Sequence, residues 1–162
     1  YQVMTNSPPF DQQLALDKYW SEIGGTVMLP GTNRPADRFA RASFYVDAIP
    51  QTRDRRTATA SVFGVIRNVS VPYGISTPDE PHISSTRWRT VADHRDRRYY
   101  FESALSPNVF WLDLDEIDFA ADTGVRSLLL GENQANVFAG DVANELVETE
   151  PFEFLGVPAP SN

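Results

Sequence analysis

Two arginines, Arg38 and Arg41, lie in a segment (residues 38–44) whose other side chains are small or aromatic. The segment follows a stretch with two glycine turns around an apolar run, residues 24–31. A guanidinium placed among apolar groups is costly unless it is paired or takes part in chemistry. Arg38 is therefore a candidate functional cation beside a loop whose glycines allow backbone or ligand to approach closely. The ordinary alternative is an arginine on the surface.

Asn6 is the second polar candidate, close to the start of the chain. The residues before it, 1–5, read as a strand, and Pro8 and Pro9 cannot continue a ladder. Asn6 is therefore expected at the end of a strand, where its amide could face a cleft. Composition alone favours the alternative, a turn asparagine that bonds its own backbone.

Three helices are predicted to hold these residues. The first covers residues 10–23, and its apolar positions fall loosely on one face: Phe10, Leu14, Trp20 and Ile23. The second starts after the turn at 29–31, with Thr32 or Asn33 as its cap and Pro35 in its first turn. Apolar residues three and four apart mark its buried face: Phe39, Ala42, Val46 and Ile49.

The third helix is predicted from about residue 54 to residue 70, with Asp54 as its cap. Its buried stripe is expected at Ala58, Val62, Ile66 and Val69. Beyond Pro81 the hydrophobic period changes to two, which is typical of strands. Strands are predicted at 84–93, 98–103, 109–113 and 125–130. Short turns join the first three, which are rich in aromatic residues, so an antiparallel meander is expected.

The composition is that of an acidic globular protein. Hydrophobic residues make up 41% of the 162, and the formal net charge of −8 argues against a nucleic-acid backbone or an anionic membrane as partner. No apolar run approaches the roughly 20 residues that cross a bilayer. The chain has no cysteine, which excludes disulfides and thiolate metal sites. No metal or cofactor is predicted, because His82 and His94 lack ligand spacing and the acidic residues at 113–118 lack that of an EF-hand.

The motifs taken together resemble the choloylglycine hydrolase family, which contains penicillin V acylases and conjugated bile salt hydrolases. The match begins with Thr-Asn-Ser-Pro at 5–8 and continues through Gly-Gly and Leu-Pro-Gly to the segment 38–44. The later matching segments are 65–72, 85–88 with Asp93, 99–101 and 111–114. Each motif is weak by itself, whereas their order and spacing are specific and cover nearly the whole chain.

The resemblance implies an α+β fold, the N-terminal nucleophile αββα sandwich, in which two antiparallel sheets lie between two helical layers. The family's nucleophile is an N-terminal cysteine that processing exposes. It attacks an amide carbonyl, with its own free amine as the base. Because this chain has no cysteine, residues 1–162 are expected to be the C-terminal half of one such domain. The nucleophile, its supporting aspartate and a second arginine are then expected upstream of Tyr1.

The resemblance also implies roles for two residues. Asn6 matches the asparagine whose side-chain amide helps to form the oxyanion hole, a fixed neutral donor for developing negative charge. Arg38 matches the active-site arginine, and a fixed cation beside a thiol lowers the pKa of that thiol. Arg41 belongs to the motif pattern, and no catalytic role is assigned to it.

The expected activity is hydrolysis of linear amide C–N bonds in small molecules with a hydrophobic or aromatic acyl group. Only a short helix separates Asn6 from the glycine turns, which resembles the short-loop branch of the family from Gram-negative bacteria. That likeness implies penicillin V or N-acyl homoserine lactones, rather than conjugated bile salts, as substrates, and a periplasmic location. The expected protein partners are the N-terminal half of the same enzyme and further copies in a homo-oligomer.

Two other interpretations remain open. A chain without the cysteine is also what a non-catalytic binding or structural module with the same scaffold would show. A serine nucleophile at Ser84 or Ser85 with His82 has little support. These residues are too close in sequence to imply a triad, and no nucleophile-elbow motif is present.

Overall fold

The computed structural model describes residues 2–23, 28–79, 81, 83–131 and 138–152. Within them, three helices come first: α1 (Phe10–Ile23), α2 (Pro35–Ala48) and α3 (Arg55–Asn68). Six strands follow: β1 (Trp88–Asp93), β2 (Arg98–Ser103), β3 (Val109–Asp113), β4 (Val125–Ser127), β5 (Gly140–Asp141) and β6 (Val147–Thr149). Single 3₁₀ turns lie at Leu114–Glu116 and Ala143–Glu145. Helices and mainly antiparallel sheets make this the predicted α+β class.

Strands β1, β2 and β3 form the antiparallel meander, so that prediction is confirmed. Strand β5 lies parallel beside β3, and β4 pairs with β6 in a separate sheet. Strands β2 and β3 have the predicted bounds, whereas β1 starts at Trp88 instead of Ser84. Thr86 bonds to Val71 instead of joining the ladder: its N–H donates to the Val71 carbonyl at 3.1 Å, and its hydroxyl accepts from the Val71 N–H at 3.0 Å.

Residues 2–5 do not form the predicted strand. A strand persists when its backbone groups pair with a neighbour, and none of the described strands lies beside these residues. The strand predicted over 125–130 ends at Ser127, because its partner β6 offers three residues for pairing. The first glycine turn, at residues 24–25, lies outside the described residues.

Helix α1 has the predicted bounds but buries a different face. Its buried residue is Gln13, whereas Phe10 is 49% exposed and Ile23 is 37% exposed. A buried glutamine is tolerated when its amide is hydrogen-bonded, and that of Gln13 bonds to backbone carbonyls in the segment before the helix. The orientation of α1 therefore follows a polar contact rather than its apolar spacing.

Helix α3 begins after Asp54, whose carboxylate accepts a hydrogen bond from the Thr57 N–H at 2.8 Å, so the predicted cap is confirmed. The predicted stripe is wrong in part, since Val62 is 36% exposed and Phe63 is buried instead. The Phe63 ring lies edge-on to Tyr100 of β2, with the ring centres 6.2 Å apart. None of the helices in the described part of the chain has the length and apolar character of a membrane span.

A buried carboxylate ties α3 to the sheet. Glu102 of β2 accepts hydrogen bonds from Arg67 of α3 at 2.6 Å and from Arg89 of β1 at 3.1 Å. Arg89 also donates to the Ser70 hydroxyl at 2.8 Å. Two cations around one carboxylate offset the cost of removing it from water. The network fixes the chain at Ser70, next to Val71, which lines the candidate site.

The sheet has one face covered by α3 and one that is more open. Tyr100 and Glu102 lie on the covered face, and alternate residues of a strand point to opposite faces. On the other face, Trp88 is 58% exposed and Tyr99 is 42% exposed. Large aromatic side chains on a sheet face are usually packed, so this face has the composition of a buried surface.

Candidate active site

The loop before α2 folds back onto the first turn of the helix. Pro35 occupies the first helical position, where its missing N–H breaks no helical bond. Arg34 is the cap residue, so the predicted capping by Thr32 or Asn33 is wrong. The Thr32 hydroxyl holds the loop instead, since it accepts from the Arg34 N–H at 3.2 Å and donates to Asp37.

Arg38 is half-buried, and its guanidinium is held at two points. Its Nε donates to the Asn33 carbonyl at 3.2 Å, and its Nη2 donates to Asn6 Oδ1 at 3.1 Å. Burial lowers the pKa of Arg38, and the nearby positive charge of Arg41 lowers it further. An arginine pKa starts so high that the group stays charged near neutral pH. The structure thus brings together the two predicted site residues.

The contact with Arg38 fixes which way the Asn6 amide points. A guanidinium has donors and no acceptor, so the atom that faces it is the amide oxygen Oδ1. The Nδ2 group then points away from Arg38, with two N–H donors for another acceptor. A hydrogen bond from a cation to Oδ1 also polarises the amide and strengthens those donors. Asn6 is exposed, so an approaching ligand can reach them.

Arg41 lies one helical turn after Arg38 and is 8% exposed. Its Nη1 donates to the Pro30 carbonyl at 2.7 Å and to the Thr32 carbonyl at 2.9 Å. Hydrogen bonds from a charged donor are stronger than neutral ones. Arg41 therefore fastens the loop to α2 on the buried side, while Arg38 bonds to the same loop on the side of Asn6.

Asn6 and Arg38 line a cleft of about 620 Å³, within the size range of small-molecule sites. Most of the polar lining side chains come from the N-terminal segment and from α2 with its preceding loop, and two come from the connection between α3 and β1: Asn6, Thr32, Asn33, Arg34, Arg38, Thr77 and Ser84. Apolar lining side chains come from the connection between α3 and β1: Val71, Ile75 and Ile83. The cleft thus places an N–H donor and a cation next to apolar side chains. This combination suits a ligand in which a polar group carries an apolar substituent.

A family model described as "Linear amide C-N hydrolases, choloylglycine hydrolase family" matches residues 1–125. The chain belongs to the choloylglycine hydrolase family. The resemblance seen in the motifs is thereby confirmed, and the family is one of amide hydrolases. The order of the motifs, rather than any one of them, is what identified it.

Similar proteins include penicillin V acylases. The penicillin V acylase of Pectobacterium atrosepticum is 53% identical over 170 residues, which is 97% of this chain and 45% of that protein. The structure of penicillin V acylase from Agrobacterium tumefaciens matches with a TM-score of 0.89 and 62% identity, over 97% of this chain and 50% of that one. The conjugated bile acid hydrolase of Lactobacillus acidophilus is 25% identical over 134 residues, 68% of this chain and 42% of its own length.

The structural match confirms the predicted fold, that of an N-terminal nucleophile hydrolase with mainly antiparallel sheets. The chain spans about half the length of the relatives it matches. Within it, the family motif at 38–44 forms the middle of α2, and both arginines of that motif bond to the loop that precedes the helix. The catalytic roles of Asn6 and Arg38 stay predictions.

Sequence reasoning gave no structural role to two residues that hold the site in place. Arg41 holds the loop, and its position three residues after Arg38 was a usable signal, because that spacing places two side chains on neighbouring parts of a helix face. Gln13 bonds to the segment that contains Asn6, and no pattern in the sequence marks it. Of the two alternative serines, Ser84 lines the cleft and Ser85 accepts a loop hydrogen bond from the Gly74 N–H at 3.0 Å. His82 lies outside the described residues.

The role of Arg41 leads to a prediction about stability. Arg41→Met is expected to lower the free energy of unfolding by about 2 kcal/mol, because two loop carbonyls lose a charged donor. Arg34→Met is the matched control, since Arg34 is exposed and its loss should change the value by less than about 0.5 kcal/mol. Urea denaturation of the complete protein that contains this chain measures both. Equal unfolding free energies for the two variants would contradict the role given to Arg41.

Proposed function

We propose that this chain is the C-terminal part of an amide hydrolase that cleaves penicillin V and related amides through an N-terminal cysteine outside residues 1–162. The hydrogen bond from Arg38 to Asn6 at 3.1 Å is the main support. It orients the Asn6 amide so that its N–H donors face away from Arg38, and both residues line a cleft of small-molecule size. The identities of 53% and 62% to penicillin V acylases favour penicillin V as the first substrate to test.

The proposed reaction uses each polar group in one step. The cysteine thiolate attacks the amide carbon, and the carbonyl oxygen becomes an oxyanion that accepts a hydrogen bond from Asn6 Nδ2. The C–N bond then breaks, the free amine of the cysteine gives the departing amine the proton that it took from the thiol, and the acyl group remains on sulfur as a thioester. Water hydrolyses the thioester and releases the acid. The fixed charge of Arg38 favours the thiolate over the thiol.

The apolar part of the cleft supports the proposed substrate class. Val71, Ile75 and Ile83 line the same cleft as Asn6 and Arg38. A hydrophobic or aromatic acyl group would bury apolar surface there, while its amide oxygen faces the donors. N-acyl homoserine lactones and conjugated bile salts also combine an amide with an apolar acyl group, so they belong to the same test.

We also propose that a second polypeptide segment completes the domain and supplies the cysteine. The relatives are about twice as long as this chain, and the chain itself has no cysteine. The sheet face with Trp88 and Tyr99 has the composition of a packed surface although both side chains are exposed. The connection between Asn6 and residues 29–31 is short, as in the branch of the family from Gram-negative bacteria. This resemblance is the reason for proposing a periplasmic location for the complete protein.

The first prediction from the proposed function concerns activity. The complete protein is expected to hydrolyse penicillin V to its side-chain acid and the free β-lactam amine, and to lose this activity when its N-terminal cysteine is alkylated. Release of the primary amine, followed by reaction with an amine-specific dye, measures turnover. Failure to hydrolyse penicillin V, N-acyl homoserine lactones and conjugated bile salts alike would contradict the proposal and favour a non-catalytic module with the same scaffold.

The second prediction concerns Arg38. Arg38→Ala is expected to lower kcat by about 100-fold, a loss typical of removing a preorganised electrostatic contact, while the protein remains folded. Arg56→Ala serves as the control, because Arg56 is an exposed arginine of α3 that does not line the cleft. Steady-state kinetics and circular dichroism of both variants provide the measurement. Unchanged turnover in Arg38→Ala would remove Arg38 from the site.

A further inference from the structure

Gln13 is a glutamine in the first turn of α1 that is 3% exposed. Glutamine is mostly found at the surface of proteins, and burying its amide is unfavourable unless the amide groups are hydrogen-bonded. The bounds of α1 and its capping do not require a glutamine here, since the helix starts with backbone bonds from the Gln12 and Gln13 N–H groups to the Pro9 carbonyl, each at 3.0 Å. The buried side chain therefore has another use.

All the hydrogen-bonding groups of the Gln13 amide are occupied by the segment that precedes α1. Its Nε2 donates to the Pro8 carbonyl at 2.5 Å and to the Thr5 carbonyl at 3.3 Å. Its Oε1 accepts from the Thr5 hydroxyl at 2.5 Å. An amide with two donor hydrogens and one acceptor oxygen matches this arrangement, whereas a carboxylate or an apolar side chain does not.

The two residues that Gln13 holds lie on either side of Asn6. Residues 2–5 form no strand with the other described residues, so no ladder within this chain fixes the backbone at Asn6. One side chain instead clamps the chain before and after it. The Thr5 hydroxyl also lies 3.1 Å from the carbonyl of Pro35, the first residue of α2. The segment that the clamp holds therefore lies next to the helix from which Arg38 projects.

We propose that Gln13 is a positioning residue of the site, which holds Asn6 at the distance and orientation at which Arg38 can bond its amide oxygen. The predicted effect of Gln13 on kcat rests on the proposed function. The predicted effect on the distance between Asn6 and Arg38 does not. Gln13 touches neither the cleft nor a reacting atom, and it acts only through Asn6.

The structural consequence is tested with Gln13→Met, which keeps the length of the side chain and removes every polar contact. In a crystal structure of the complete protein, the separation of Asn6 Oδ1 and Arg38 Nη2 is expected to exceed 3.5 Å, or the Asn6 side chain to adopt several positions. The control is Gln12→Met, an exposed neighbour on the same helix turn, in which the bond should stay near 3.1 Å. An unchanged bond in Gln13→Met would overturn the proposal whatever the activity.

The kinetic consequence is tested with a double-mutant cycle. Gln13→Met is expected to lower kcat at least tenfold with KM within about twofold, whereas Gln12→Met changes neither. In an Asn6→Ala background, Gln13→Met should have no further effect, because it acts through Asn6. Equal factors in both backgrounds would show a general structural role and overturn the proposal.

Two further arms keep the outcomes distinct. If Gln13→Met does not fold, Thr5→Val replaces it, since this change removes the hydroxyl that bonds Gln13 Oε1 and retains the volume. The same drop in kcat, absent from the Asn6→Ala background, is then expected, and an unaltered kcat would overturn the clamp. A wild-type protein that hydrolyses none of the amides would overturn the proposed function alone, and the crystal structures would still decide the role of Gln13.

Discussion

A guanidinium can donate hydrogen bonds and cannot accept them, and this constraint organises the site. Because Arg38 donates to Asn6 at 3.1 Å, the Asn6 amide can present only its oxygen to the arginine. Its N–H donors then point away from the cation. One contact thus sets the orientation, the polarity and the donor strength of the group proposed to stabilise the oxyanion.

Two positive charges, those of Arg38 and Arg41, lie close together in the site. Among the described residues, neither arginine forms a salt bridge with a carboxylate. Arg38 and Arg41 bond instead to backbone carbonyls of the loop before α2. The repulsion and the burial appear as a lowered pKa of Arg38, yet the group remains charged near neutral pH. A cation left without a bound carboxylate is available to a thiolate or an oxyanion, which is what the proposed chemistry requires.

Some of this structure could be predicted from the sequence, and the reasons are local. Strands β2 and β3 are short runs rich in aromatic residues between clear turns, and α2 starts at a proline, so their positions follow from short-range rules. The strand expected before Asn6 does not form, because a strand needs a neighbouring strand to pair with, and none of the described strands lies beside residues 2–5. Local signals give no information about such partners.

The candidate site was predictable only in its two family residues. Composition favoured a turn asparagine and a surface arginine, and the ordered motifs reversed both interpretations. The bond between Asn6 and Arg38 could not be foreseen, because it joins residues 32 positions apart. The carbonyl that holds Arg38 belongs to Asn33, and a backbone group of this kind is independent of residue type. The role of Gln13 could not be predicted for a similar reason. A glutamine in a helix is expected at the surface, and the sequence does not show the contacts that bury it.

The central claim is that Arg38 and Asn6 act as one unit. The most direct measurement is kcat/KM of the complete protein for penicillin V in the wild type, Asn6→Ala, Arg38→Ala and the double variant. The account predicts strong coupling: the double variant should be within about threefold of the weaker single variant, because either change already dismantles the shared hydrogen bond. Losses that multiply in the double variant would show two independent residues and would contradict the account.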